Sequence, residues 1–187
     1  MTDTGYGPSA LATPANAITV ARLLLAPVAF AMIVAQPSSW PLVGLWFVLS
    51  VTDLLDGYFA RRHGTTRSGA FLDPLADKVL VIGGMSAMVA AGKFSWAPVA
   101  LTIVREVGIS VFRSYWGRRG LAVPARRLAK YKTFLQLSAV GWVTLPLTTD
   151  LSWLYNSFLW ASVLLAWVSG AQYLLDGGKA TRSMEPE

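Results

Sequence analysis

Six apolar runs, each near bilayer length, divide this chain and leave little room for anything else. They are Ile18–Val34, Pro41–Ala60, Leu72–Ala91, Trp96–Trp116, Thr133–Leu147 and Leu151–Leu174. A helix needs about 20 such residues to cross the hydrocarbon, where every backbone N–H and C=O must be paired within the segment. The chain therefore reads as all-α, a polytopic membrane protein of six transmembrane helices. The fifth run is short and contains Pro146, so it must extend through Tyr131 or Thr149 to reach that length. Only 14% of the 187 residues are charged, against roughly 25% in a soluble domain, and lipid cover accounts for the deficit. Trp40, Trp96, Trp116 and Trp153 lie near run ends, where amphipathic rings favour the membrane interface.

The links between runs set an orientation. Arg61, Arg62 and Arg67 join the second run to the third, and Arg118, Arg119, Arg126, Arg127, Lys130 and Lys132 join the fourth to the fifth. The opposite links hold little beyond Lys93 and Asp150. The positive-inside rule puts both basic links, and with an even number of spans both termini, in the cytoplasm. The first run has no basic leader and is interrupted by Asn16 and Arg22, which reads against a cleavable signal peptide. Residues 1–14 and 176–187 read as flexible cytoplasmic tails, and 15–175 as one six-helix catalytic domain. The net charge of +6 is spread over short links, where it meets anionic headgroups rather than nucleic acid.

Against this apolar background stand four aspartates. Their pattern is Asp53-x-x-Asp56-Gly57-x-x-Ala60-Arg61, then Gly69-x-x-x-Asp73-x-x-x-Asp77. Carboxylates at membrane depth are costly and mark functional sites. Spacings of three and four put each pair on one helix face, and the link from Arg62 to Phe71, with Gly64 and Gly69, is long enough to turn the second helix back on the first. Four clustered carboxylates repel one another unless cations neutralise them. With no cysteine and one histidine, His63, in the chain, the fitting cation is hard and oxygen-liganded, magnesium or manganese in type. Two such ions roughly 3.5–4 Å apart would bridge a diphosphate and polarise the phosphorus under attack. Gly57 and Ala60 leave a helix face without bulk, Arg61 suits bidentate contact with phosphate oxygens, and Asp77 suits a general base toward an acceptor hydroxyl. The competing structural account makes each pair a helix cap or a salt-bridge partner of Arg61, Arg62 or Lys78, with Asp73 capping the turn that Pro74 opens.

The combined string resembles the signature of the CDP-alcohol phosphatidyltransferase family at all its fixed positions. That resemblance implies a six-helix membrane fold, usually homodimeric, with its active site open to the cytoplasmic leaflet of the bacterial inner (plasma) membrane. It further implies transfer of a substituted phosphoryl group from a CDP-linked lipid to an alcohol with release of CMP. By the same resemblance Asp53, Asp56 and Asp73 bind one metal, and Asp77 helps bind a second while serving as base. Asp56, Gly57, Ala60, Arg61 and Gly69 would hold the CDP-lipid; cytidine itself comes from the family alone. The stretches Thr13–Arg22 and Gly69–Lys78, then Arg105-Glu106, Arg113 and Lys130-Tyr131-Lys132-Thr133 with Gln136, are similar to the phosphatidylglycerophosphate synthase branch, whose substrates are CDP-diacylglycerol and glycerol 3-phosphate. Ala129 departs from the glycine common there.

The remaining charges are weighed individually. Arg105 and Glu106 neutralise each other's burial, but adjacent helix positions do not face one another, so at least one needs a further partner. Arg113, Lys130 and Lys132, with Arg105, form the candidate acceptor-phosphate set, against a role in headgroup contact or topology. Asn16, Thr19 and Arg22 share a stripe that reads as facing the bundle and supporting the aspartates, or as snorkelling. Within the fold the competing functions are a cardiolipin synthase accepting phosphatidylglycerol and a phosphatidylinositol-phosphate synthase. Outside it stands an ion transporter, which gives no reason for Gly57, Ala60 and Arg61.

Overall fold

The computed structural model describes the backbone at residues 14–63, 69–117 and 128–182 and the side chains at 16–52, 75–115 and 131–175. Within those residues the chain forms six α-helices: α1 (Pro14–Ala35), α2 (Trp40–His63), α3 (Gly69–Ala90), α4 (Trp96–Gly117), α5 (Leu128–Thr144) and α6 (Ser152–Arg182). Pro14 opens α1, where its missing N–H costs nothing and its fixed φ suits the first turn. The end of α3 is set by Gly92 at φ 70°, a left-handed position that a side chain would strain. There the Lys93 amide bonds the Met88 carbonyl at 2.9 Å and closes the helix. α5 stops two residues short of Pro146, and hydroxyls cover its last carbonyls: Thr144 Oγ1 donates to Gly141 O at 2.8 Å and Thr148 Oγ1 to Trp142 O at 2.6 Å. The fifth helix thus gains its length upstream, through Tyr131 to Leu128.

Two boundaries differ from the sequence expectation. α6 continues through Asp176 to Arg182, into the stretch read as a flexible tail. No proline interrupts it, and Lys179 and Arg182 lie where cations favour a helix C-terminus. His63, read as a loop residue, is the last residue of α2. The N-terminal tail up to residue 13, the link at Arg67, the basic residues Arg118, Arg119, Arg126 and Arg127, and residues 183–187 lie outside the described residues.

The helices group into two compact units. One comprises Met1–Phe94 with Val140–Leu151, the other Ser95–Ala139 with Ser152–Glu187, the division falling inside α5. In the first unit α1 packs on both α2 and α3. Its buried stripe is Asn16, Thr19, Arg22, Ala26, Ala29 and Ile33, polar toward the N-terminus and apolar beyond. Leu42, Trp46 and Leu49 of α2 and Ala76, Leu80, Met85 and Met88 of α3 complete that core. Glycines on α3 admit the large rings: Gly83 receives Phe30, and Gly84 receives Trp46. A Cβ on Gly84 would lie 2.5 Å from Trp46 Cη2, whereas one on Gly44 meets nothing within 4 Å. Gly84→Ala should therefore cost about 1–3 kcal/mol through overpacking. Gly44→Ala should leave the melting temperature unchanged or raise it. Equal losses in detergent melts would contradict this packing.

In the second unit α4 packs along α6. In both units large apolar side chains, among them Leu24, Phe47, Val104, Phe134 and Leu164, are well exposed, while Arg22, Lys132 and Gln136 are buried. Water-soluble proteins keep such polar groups outside, and extended apolar exteriors mark contact with lipid or protein. Among the described residues α1 (Asn16–Ala35) and α6 (Ser152–Leu175) are long and apolar enough to cross a bilayer, and α2 carries a shorter apolar stretch, Trp40–Thr52. α5 has only 17 residues. α4 has the length, but Arg105, Glu106 and Arg113 interrupt its apolar character. The same charges that suggest function thus lower these helices' hydropathy.

Candidate active site

The two halves of the aspartate motif belong to neighbours of α1. α2 runs without a break through Asp53, Asp56, Gly57, Ala60 and Arg61, and α3 through Gly69, Asp73 and Asp77. Unbroken helix puts positions 53 and 56 on one face and 73 and 77 on another, as i,i+3 and i,i+4 pairs. The side chains of Asp53, Asp56, Arg61 and Asp73 lie outside the described residues, as does that of Lys130. Among the described residues no three His, Cys, Asp or Glu side chains gather into a metal-binding group, Asp77 being the only one of the four aspartates in that set.

Asp77 has a definite environment. Its side chain is 48% exposed, and its Oδ1 lies 3.6 Å from Nη1 of Arg22, which is 2% exposed. A guanidinium so deeply placed needs an anion or acceptors, and the polar end of the α1 stripe carries it to the carboxylate. The structure thus brings Arg22, the last residue of the polar part of that stripe, to the last aspartate of the motif. The motif's own donors on α2 and α3, four aspartate carboxylates, fit a hard divalent ion.

The second unit holds the other predicted residues. Arg105 is built into the α4–α6 seam: Nε donates to Ala166 O at 2.8 Å, Nη2 to Ser169 Oγ at 2.9 Å and Nη1 to Glu106 Oε1 at 2.9 Å. Gly170 lets it in, since a Cβ there would lie 3.2 Å from Nε. Glu106 Oε1 also takes Nζ of Lys132 from α5. Adjacent helix positions do pair here, because the long arginine side chain folds back toward its neighbour while bonding α6. Arg113, two turns along α4, is exposed and stands 5.5 Å over the Tyr173 ring. Phe112 meets the same ring edge-on at 5.9 Å. The structure therefore joins Arg105 and Lys132 through Glu106 and gives Arg113 a separate aromatic support. Ser169 and Tyr173 on α6 were not foreseen; a serine–glycine pair, Ser169-Gly170, inside an apolar run was the signal available.

Arg22 lies buried at Asp77 under an exposed apolar exterior, and the other aspartate positions of the motif fall on α2 and α3. The sequence model of the CDP-alcohol phosphatidyltransferase family matches residues 12–168, and the chain belongs to that family. It is an enzyme, a CDP-diacylglycerol-dependent phosphatidyltransferase, and membership carries the family's general use of a divalent cation. The chain is 34% identical to the CDP-diacylglycerol–glycerol-3-phosphate 3-phosphatidyltransferase of Bacillus subtilis (strain 168), over 90% of this chain and 96% of that protein. It is 32% identical to a probable phosphatidylglycerophosphate synthase of Mycobacterium tuberculosis (strain ATCC 25618 / H37Rv), over 90% and 83%. A Haemophilus influenzae CDP-diacylglycerol–glycerol-3-phosphate 3-phosphatidyltransferase matches at 32% over 81% and 82%.

Proposed function

We propose that this enzyme transfers the phosphatidyl group of CDP-diacylglycerol to glycerol 3-phosphate, giving phosphatidylglycerophosphate and CMP. The observation that carries this reading is the near full-length similarity to relatives bearing that activity in their names, together with the complete aspartate motif. Asp53, Asp56, Asp73 and Asp77 would hold magnesium or manganese, in a pair of ions. When bound, such ions neutralise the diphosphate and make its phosphorus more electrophilic.

The chain's own residues do the rest. Asp56, Gly57, Ala60, Arg61 and Gly69 hold the cytidine diphosphate portion, with the Arg61 guanidinium on phosphate oxygens. Arg22 fixes the Asp77 carboxylate, which takes the proton from the primary hydroxyl of the acceptor. The freed oxygen bonds to the lipid-side phosphorus as the bond to the CMP oxygen breaks. Arg113, Lys130 and Lys132 bind the acceptor's phosphate. Arg105, whose guanidinium is engaged by α6 and Glu106, supports that set from behind. Rate enhancement comes from positioning and charge stabilisation, with no covalent enzyme intermediate. The same proposal includes six crossings within residues 15–175, cytoplasmic termini, basic links on anionic lipid, and a homodimer in the bacterial plasma membrane.

Acceptor choice tests it. CDP-diacylglycerol labelled in its cytidine is offered to the purified enzyme with glycerol 3-phosphate, phosphatidylglycerol or inositol phosphate in separate reactions. CMP release is expected with the first alone. Turnover confined to phosphatidylglycerol would make the enzyme a cardiolipin synthase instead, and turnover confined to inositol phosphate a phosphatidylinositol-phosphate synthase.

A further inference from the structure

The buried face of α5 starts polar, with Lys132 and Gln136, and continues apolar with Ala139, Val140 and Val143. Lys132 is 6% exposed and Gln136 2%, and as an i,i+4 pair they lie on one face. The Gln136 amide nitrogen Nε2 is buried with no hydrogen-bond acceptor among the described residues. A buried amide without an acceptor is costly, and native structures keep few of them without a functional reason. What Lys132 and Gln136 offer in common is N–H donors, which suit a ligand rich in acceptor oxygens.

Lys132 is held in place by a relay of contacts from α6. The Ala166 carbonyl and Ser169 hydroxyl fix the Arg105 guanidinium, which bonds Glu106 Oε1, and the same oxygen takes the Lys132 ammonium. Glu106 is acceptor-only when ionised, so it does not itself favour an anion. Its place in the relay is to aim Lys132.

We infer that Gln136 is a further direct ligand of the phosphate already assigned to Lys132, in the second unit, and that Glu106 is the positioning residue for Lys132. The inference rests on the proposed function in taking that phosphate to be the acceptor's rather than a lipid headgroup's. Glu106→Gln keeps the shape but loses the charge that holds Lys132. Gln136→Met keeps the length, removes the amide and changes no charge, so it serves even where the first variant folds poorly.

The test uses the full-length enzyme in mixed micelles, with KM measured for each substrate and glycerol 3-phosphate binding followed by calorimetry, which needs no turnover. Each variant should weaken glycerol 3-phosphate, in KM and in Kd, by about tenfold, as expected for a lost hydrogen bond to a charged group. KM for CDP-diacylglycerol should stay within about twofold. Glu106→Asp should recover part of the loss, and Glu106→Gln with Lys132→Met should be no worse than Lys132→Met alone, the mark of two residues acting as one. Unchanged glycerol 3-phosphate affinity, equal shifts for both substrates, or losses that simply add would overturn the inference. A rise confined to CDP-diacylglycerol would also overturn it, by making the bound phosphate a headgroup. Wild-type binding of glycerol 3-phosphate without turnover would remove the proposed function and leave the subsite standing. Normal turnover with unaltered constants in both variants would do the reverse.

Discussion

Asp77→Asn is expected to reduce CMP release by about 10²–10⁴-fold, the range for loss of a positioned general base, while the protein still folds. Asparagine keeps the size and removes only the charge. The side chain at this position is half exposed, and the α1–α3 core beneath it rests on Ala26, Ala29, Ile33, Leu80 and Met88, none of which the substitution touches. The melting temperature in detergent should thus shift by a few degrees at most, against a near-total loss of kcat. A variant that melts like the wild type and still turns over within about tenfold of it would remove Asp77 from the proton transfer. A collapse of both together would make the residue a structural ion-pair partner of Arg22.

Removal of divalent cations should be as severe. Exhaustive chelation is expected to take CMP release to background, and magnesium or manganese should restore it. The reason is electrostatic: the proposed site would gather four carboxylates in a partly apolar bundle, where they would not all stay ionised without cations, and the diphosphate would add negative charge to the same place. Asp53→Asn or Asp56→Asn should then raise the metal concentration needed for half-maximal rate as well as lower the rate itself. Turnover that survives chelation, or that falls in these variants with an unaltered metal requirement, would exclude those aspartates from ion binding.

What could be read in the sequence follows the period of each signal. Helical spacing put Asn16, Thr19 and Arg22 on one stripe, read as facing the bundle or as snorkelling, and all three are buried with Arg22 at Asp77. Gly83 and Gly84 of α3 admit Phe30 and Trp46, and which ring meets which glycine is not written in the helical period. The existence of the helices was legible too, because apolar runs are long and the links are charged. Their ends were less so: Leu128–Lys132 is too basic to look like a span, yet it is the first turn of α5, and 176–182 is too polar, yet it continues α6.

Contacts between helices distant in sequence were hardest to foresee. The rule that neighbours on a helix point apart holds for Cβ directions, but an arginine side chain is long enough to reach back, as Arg105 does to Glu106. That Lys132 shares the same carboxylate, and that Ala166 and Ser169 anchor the arginine, depends on which helices pack together. Periodicity carries no record of that. Gln136 was marked in the sequence only by its place after Lys130–Thr133, and its unpartnered Nε2 is a property of the packed structure.

The central claim is that the carboxylates of α2 and α3 act jointly on divalent cations, and anomalous diffraction from crystals grown with manganese tests it most directly. The predicted result is a pair of manganese peaks coordinated by Asp53, Asp56, Asp73 and Asp77, and lost in the Asp56→Asn protein. Manganese bound elsewhere, or these four side chains turned apart with no ion among them, would contradict it.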